Sequence, residues 1–354
     1  MKKNVTIYEI AAESGVSVST VSRVINGNPH VSERTREAVK QVIEKYNFTP
    51  SALARAMNNS QTRTLGVVLP DITNPYFSAL FLEIERYALE RHYSVVLCNT
   101  LFGGSSHGVP SPFTESEYFQ TMIDKEVDGV IVTGGELDKE DISNEYIRAV
   151  NRLNQSFPVV LIAQEIPGCD CLFINRNLGG GIAALIHHLS ALGNRRIAFI
   201  GGEPGVRQTS VRLEAYRGAL QSLELPYEPE LVSLSDYYAK DGYAAMKKLL
   251  DEGHRPDAAI AINDNVAVGA IRAINDQQLS CPEDIAVASC DQFFDSEYTT
   301  PRLTTLEQQN DYLGRLSIMM LLSAINGVRE PMNIQHNPRL IIRESCGAQL
   351  VRNK

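Results

Sequence analysis

No apolar run in this 354-residue chain approaches the roughly 20 residues a membrane-spanning helix needs, so such a helix is excluded. The first residues lack the apolar stretch of about 7–15 residues that marks a secretory signal, which makes the cytoplasm the expected location and a membrane partner unexpected. Cysteine is sparse. Six in a chain this long read as free thiols rather than a disulfide framework. Cys169 and Cys171 stand too close for a C-x-x-C motif, and no His/Cys cluster has zinc spacing, so no metal and no cofactor is expected. Signatures of catalysis are missing as well. Gly201, Gly202 and Gly205 follow an apolar run without forming G-x-G-x-x-G, and there is no Walker A pattern. There is no G-x-S-x-G elbow, and His187 and His188 sit in a helical stretch without an obvious acid partner. No catalytic residue is assigned.

What remains is a chain with 44% hydrophobic and 21% charged residues, typical of a globular protein and long enough for two or three domains. The net charge of −9 divides unevenly: residues 1–60 carry +3 and the remainder −12. A small basic head on an acidic body suits a protein whose head meets phosphate.

Residues 6–26 read as helix, turn, helix. Thr6 and Glu9 have the S/T-x-x-E spacing of a capping box, and Ile7, Ile10 and Ala11 make an apolar face. Gly15 supplies the positive φ that ends a helix cheaply. Ser17 can cap a second helix that buries Val21, Val24 and Ile25 and exposes Val18, Ser19, Ser22, Arg23 and Asn26. Short polar groups and one arginine on a helix face suit the major groove. The spacing alone also fits an ordinary αα-hairpin. A third helix, capped by Ser32, is expected from Glu33 to Tyr46, with Ala38, Val39, Val42, Ile43 and Tyr46 at helical spacing. Residues 51–63 pair a short helix-prone half with a polar half. Taken by themselves they read more readily as a plain linker than as a hinge that folds on DNA.

From Thr64 onward, apolar runs of four or five residues alternate with amphipathic stretches of ten to sixteen. The runs are 65–69, 94–98, 129–132, 159–162, 197–200, 258–262 and 285–288; the stretches include 76–91, 178–192, 211–223, 238–250 and 266–278. Such alternation predicts parallel sheets covered by helices, in two α/β subdomains with a ligand cleft between them.

The chain as a whole resembles transcription regulators of the lactose-repressor/galactose-repressor (LacI/GalR) family. Residues 6–39 are close to that family's head, PSALARAM (50–57) resembles its hinge helix, and LGVVLPDITNPYF, VDGVIV, RIAFIGG, the 212–216 stretch, INDNVAVGAIRAI and TTPRLTTLEQ follow its body in order. The fold implied is α + α/β: a helix-turn-helix head (1–49), a hinge helix and linker (50–63), and a core (64–354) of two doubly wound subdomains of periplasmic-binding-protein type. The first subdomain is placed at about 64–162 and 292–322, the second at about 163–291 and 323–345. The resemblance also implies a homodimeric repressor on a pseudo-palindromic operator in double-stranded DNA. A small molecule in the cleft, a sugar before a purine or nucleoside, would control its affinity. A protein corepressor is known for some members. No leucine-heptad tail suggests assembly beyond a dimer.

By position in the family motif, Val18, Ser19 and Arg23 face base edges; Arg23 could contact guanine through two bonds and Val18 a thymine methyl. Thr6, Ser17, Ser22, Asn26 and His30 are candidate phosphate or edge contacts. For the serines the plainer role is a cap or a solvated face, and for His30 simple surface. Leu53, Ala54 and Met57 would enter the minor groove, with Met57 as a softer wedge where leucine is usual. In the cleft, Arg212 and Asp264 stand at ligand-contacting positions, although Asp264 could equally cap a helix beginning at Asn265. Asp71, Tyr76 and Phe77 follow the first strand and would face the same space, unless the two aromatics are ordinary core. Asp291 lies in a Ser-Cys-Asp turn where the family has Gly-Phe-Asp, which weakens its assignment. Asn175 replaces a common aspartate. Residues 103–112 are expected to form a surface loop or, alternatively, a partner site. Two rival readings remain, an enzyme and a solute-binding protein. The first lacks a motif, and the second does not account for the helix-turn-helix.

Overall fold

The computed structural model describes residues 5–25, 28–46, 61–101, 113–293, 295–328 and 334–351. Asn26, Leu53, Ala54, Met57 and the 103–112 segment lie outside these residues, and their expected roles stay with the sequence. The chain divides into two units, Met1–Arg63 and Thr64–Lys354.

In the first unit, α1 (Ile7–Ser14) starts at the expected capping box. Thr6 Oγ1 accepts from the Glu9 amide, while the Glu9 carboxylate accepts from the Thr6 amide at 2.7 Å. It ends at Gly15, whose φ of 65° lets the Val16 amide turn back to the Ala11 carbonyl. Ser17 Oγ accepts from the Thr20 amide at 3.2 Å and so caps α2 (Val18–Ile25). Ser32 does the same for α3 (Glu33–Tyr46) through Thr35. Ile10, Ala11, Val21, Val24 and Val39 form the core. The face of α3 is narrower than its spacing predicts: Val39 is buried, Val42 and Ile43 pack against the core, but Ala38 and Tyr46 are exposed. The small core these three helices share has too little interior to cover both edges of a 14-residue helix.

The second unit runs β1 (Thr64–Leu69), α4 (Pro75–Glu90), β2 (Ser94–Asn99), α5 (Glu115–Asp124), β3 (Gly129–Thr133), a 3-10 turn (Gly135–Asp138), α6 (Asn144–Ser156), β4 (Val159–Ile162) and β5 (Leu172–Arg176). It continues through α7 (Leu178–Ala191), β6 (Ile197–Ile200), α8 (Arg207–Ser222), β7 (Val232–Ser233), α9 (Ala239–Asp251), β8 (Ala258–Ala261), α10 (Asp264–Asp276) and β9 (Ala286–Ser289). Last come β10 (Thr304–Glu307), α11 (Asn310–Ile325), β11 (Ile334–His336), β12 (Arg339–Ile341) and α12 (Ala348–Val351). All seven apolar runs are strands and all five amphipathic stretches are helices, with ends shifted by a few residues.

Two six-stranded sheets result, ordered β2-β1-β3-β4-β5-β11 and β7-β6-β8-β9-β10-β12. Each contains the doubly wound order 2-1-3-4-5, whose switch point lies beside its first strand and opens a crevice at the carboxyl ends. All pairings are parallel except β10 with β12. Strand pairing moves the expected subdomain boundaries. β5 pairs with β4 through Leu161 and Phe173, so the first crossing falls at Asn177 rather than after Ile162. β10 belongs to the second sheet through Thr305 and Ser289, so Thr304–Glu307 lie there, not in the first half. β11 returns to β5. The short strands β5 and β10 mix polar with apolar residues, so hydrophobic pattern alone could not assign them to a sheet.

The three crossings are tied together. The Asn177 amide donates to the His336 carbonyl at 2.7 Å, and His336 Nε2 meets the Gln308 carbonyl at 2.9 Å. The first sheet is covered on one face by α4 and α11 and on the other by α5 and α6. In the second half, Gly242 of α9 and Gly269 of α10 let two helices touch backbone to backbone. A Cβ on Gly269 would sit 1.9 Å from the Ala239 carbonyl oxygen.

Candidate functional site

On the first unit, Thr6, Ser19, Arg23 and His30 are exposed and Ser22 is half-buried. Arg23 therefore stands on the outer face of α2, as its spacing requires. Val18 differs from expectation, because it is half-buried against the small core. Ser17 is engaged locally by its cap and by the hydroxyls of Ser19 and Thr20, each 2.8 Å away. The His30 amide donates to Asn28 Oδ1.

In the second unit a cavity of about 130 Å³ opens where the carboxyl ends of the two sheets face each other. A single water needs only about 10–15 Å³, so the space admits a small organic molecule. The loop after β1 supplies Asp71 and the start of α4 supplies Tyr76 and Phe77; the turn after β3 supplies Asp138. From the second half come Glu203, Gln208 and Arg212 around the start of α8, Asp236, Tyr237 and Tyr238 after β7, Asn263 after β8, and Asp291 and Phe293 after β9.

Arg212, 2% exposed, donates from Nη2 to both Asp291 carboxylate oxygens at 2.9 Å. Burial works against its charge, but the Asp291 carboxylate together with Cys290 and Tyr237 holds the guanidinium above its ordinary pKa. Asp71 accepts from the Thr73 amide and hydroxyl through Oδ1, and across the cleft from the Tyr238 hydroxyl through Oδ2 at 3.3 Å. Tyr76 packs edge-on against Phe77 at 5.1 Å, and the Arg176 guanidinium lies 4.5 Å from its ring centre. Its hydroxyl is buried without a hydrogen-bond partner, and burial pushes the phenol up to about 12. At the outer edge Lys139 and Val206 form an antiparallel bridge, and Arg207 Nη2 donates to the Glu140 carbonyl at 3.0 Å.

Asp264 is placed differently from the sequence expectation. Asn263 caps α10, accepting from the Val266 amide at 2.9 Å, and it is Asn263 that lines the cleft. Asp264 points behind the wall. Its Oδ1 accepts from the Ser289 and Thr305 hydroxyls, and Oδ2 from the Phe293 amide at 3.0 Å. Burial raises its carboxyl to about 6 in spite of these donors. Its effect on the cleft is indirect, since it pins the loop that carries Asp291 and Phe293. One position in sequence separates the two because α10 begins at Asp264 rather than at Asn265. Asn175 lies in a smaller neighbouring cavity with Arg176 and Arg207, its Oδ1 buried and unpartnered.

Asp138, Glu203, Gln208, Asp236, Tyr237, Tyr238 and Phe293 were not identified from sequence. They come from turns distant in sequence whose only common signal is a place just after a strand. Behind the 3-10 turn, Glu115 is 5% exposed; it accepts from the Glu136 amide at 2.9 Å and the Tyr146 hydroxyl at 3.1 Å. Burial, partly opposed by these bonds, raises its carboxyl to about 7. None of the six cysteines is in a disulfide, and no group of three or more His, Cys, Asp or Glu among the described residues could hold a metal. No helix among the described residues is long and apolar enough to cross a membrane.

Residues 6–51 match the profile described as bacterial regulatory proteins, lacI family, and residues 186–346 match the periplasmic binding protein-like domain. The ribose operon repressor of Escherichia coli is 34% identical over 344 residues, covering 96% of this chain and 99% of that protein. The HTH-type transcriptional repressor PurR of Haemophilus influenzae is 30% identical, covering 96% and 98%. Among solved structures, the lac repressor dimer bound to operator and the anti-inducer ONPF superposes with a TM-score of 0.84 at 26% identity, covering 97% of this chain and 99% of that one.

Proposed function

This chain belongs to the lacI family of bacterial regulatory proteins, and on that premise we propose that it is a repressor acting as a homodimer on a pseudo-palindromic operator in the cytoplasm, with its DNA affinity set by a small molecule in the cleft. It is a DNA-binding transcription regulator and not an enzyme. The observation that carries the proposal is the buried Arg212–Asp291 pair on the wall of a cavity built by both halves of the body. A fixed donor–acceptor pair in such a place holds a ligand that touches both halves, and such a ligand favours one relative setting of the halves over another.

On the head, Arg23 and Ser19 read base edges, with Val18 at the rim, while Thr6, Ser17, Ser22, Asn26 and His30 set register on phosphate. Leu53, Ala54 and Met57 follow as minor-groove contacts. In the cleft, Arg212, Asp291, Asp71, Tyr76 and Phe77 contact the effector, joined by Asn263 in place of Asp264. A relative named as a ribose operon repressor supports sugar chemistry first, with purine or nucleoside chemistry as the alternative effector class. The test is selection of binding sites from random duplex DNA with the full-length protein. Enrichment of a two-fold symmetric site, abolished by disrupting either half, is expected. Enrichment of a lone half-site, or of nothing, would sink the dimeric operator reading.

A further inference from the structure

The cleft wall carries five carboxylates, Asp71, Asp138, Glu203, Asp236 and Asp291, against one guanidinium, Arg212. Arg212 is committed to Asp291. Asp138 has Gln208 as a hydrogen-bond partner and feels Arg176, Arg212 and Arg207 nearby. Asp71, Glu203 and Asp236 remain, and among the described residues none forms an ion pair. Glu203 and Asp236 repel each other: burial and then the Asp236 charge raise the Glu203 carboxyl above its ordinary pKa. Burial also raises Asp236, with the hydrogen bond from the Tyr237 amide and the Lys240 charge opposing and Asp241 adding to it. Like charges gathered on a half-buried wall are costly unless a counter-charge arrives.

Two further observations say what kind of counter-charge fits. Tyr76, Phe77, Tyr237, Tyr238 and Phe293 line the same space, and aromatic faces attract cations. Tyr76, which lines this space, is 7% exposed and its buried hydroxyl has no hydrogen-bond partner, a bond that a ligand reaching it would complete. A metal ion does not fit, because the carboxylates do not converge as a ligand set among the described residues. We propose that the effector is a small organic cation, an amine-bearing molecule of sugar or diamine size, whose ammonium group is held by Glu203 and Asp236 and whose body lies against the aromatic walls. This rests on the cleft being the effector site.

The experiment uses full-length protein and two matched series: glucosamine, glucose and glucose 6-phosphate; and 1,4-diaminobutane, 1,4-butanediol and succinate. Binding is read by thermal shift and calorimetry at low and high salt. At least one amine should bind while its neutral and anionic counterparts do not, and its affinity should fall as salt screens the attraction. Combining Glu203→Gln with Asp236→Asn should weaken that amine by about tenfold or more. If a neutral or anionic member binds as well as its amine, and Arg212→Ala abolishes that binding, the cationic class is wrong and the cleft reading stands. If an amine binds equally to wild type, Arg212→Ala and the Glu203/Asp236 variant, its site lies elsewhere and the cleft reading falls with the proposal. If no probe binds, the cationic class is rejected.

Discussion

One nitrogen of Arg212 serves both oxygens of Asp291, at 2.9 Å each, with the arginine almost wholly removed from water. The two residues come from α8 and from the loop after β9, so the pair joins two segments that the chain separates by 79 positions. Removing one partner leaves a buried charge without its complement, which costs roughly 3–5 kcal/mol. Arg212→Ala should therefore lower the urea midpoint of the body as well as erase the effector response, and operator binding should persist. Adding Asp291→Asn should recover part of the lost stability, because the stranded charge is gone. Additive losses in the double variant would show that the pair is not coupled.

Glu115 ties stability to pH. Its carboxyl, near 7 in the folded protein, is raised above the ordinary value of 4.5, so folding favours its protonated form. The contribution is fully present below about pH 4.5 and is lost as pH rises through about 7. The shift corresponds to roughly 3 kcal/mol. Glu115→Gln keeps a neutral group of the same shape, able to accept from the Glu136 amide and donate to Tyr146. The variant should match wild type at pH 5 and melt several degrees higher at pH 8. Identical melting at both pH values would mean that Glu115 ionises freely.

Arg23 is exposed on α2 and, among the described residues of that face, carries the only side chain able to make two bonds to guanine. Arg23→Ala should cost about 1–3 kcal/mol on the best operator and flatten preference at one base pair in each half-site. Site selection with the variant reads this directly. An unchanged consensus would move base reading to other residues.

Gly269 is fixed by space. An added methyl would lie 1.9 Å from the Ala239 carbonyl oxygen and 2.7 Å from the Tyr243 amide nitrogen, both backbone atoms that cannot swing aside. Gly269→Ala should destabilise the second half by about 1–3 kcal/mol or more. It should also weaken effector binding, because α9 follows Tyr237 and Tyr238 and α10 follows Asn263 on the cleft wall. Chemical denaturation and calorimetry on the same variant test both effects. Full stability with unaltered binding would mean that the helices separate without cost.

The local physics of this protein is written in short stretches of its sequence. Thr6 with Glu9, Gly15 and Ser17 specify caps and a turn within a few residues of each other, and all of them form. The runs at 159–162 and 197–200 are strands to the residue, since a fully buried parallel strand must be apolar throughout. The family pattern added Arg212 and Asp291, which do meet. Tertiary structure decided the rest. Strand pairing assigned β5 and β10 to their sheets, because their mixed residues favour neither. A one-residue difference in the start of α10 turned Asp264 inward and put Asn263 on the wall. Glu203, Asp236, Tyr237 and Tyr238 face Asp71 only because two sheets meet at their carboxyl ends. Convergence of that kind depends on how distant turns are brought together, and no local pattern of residues encodes it.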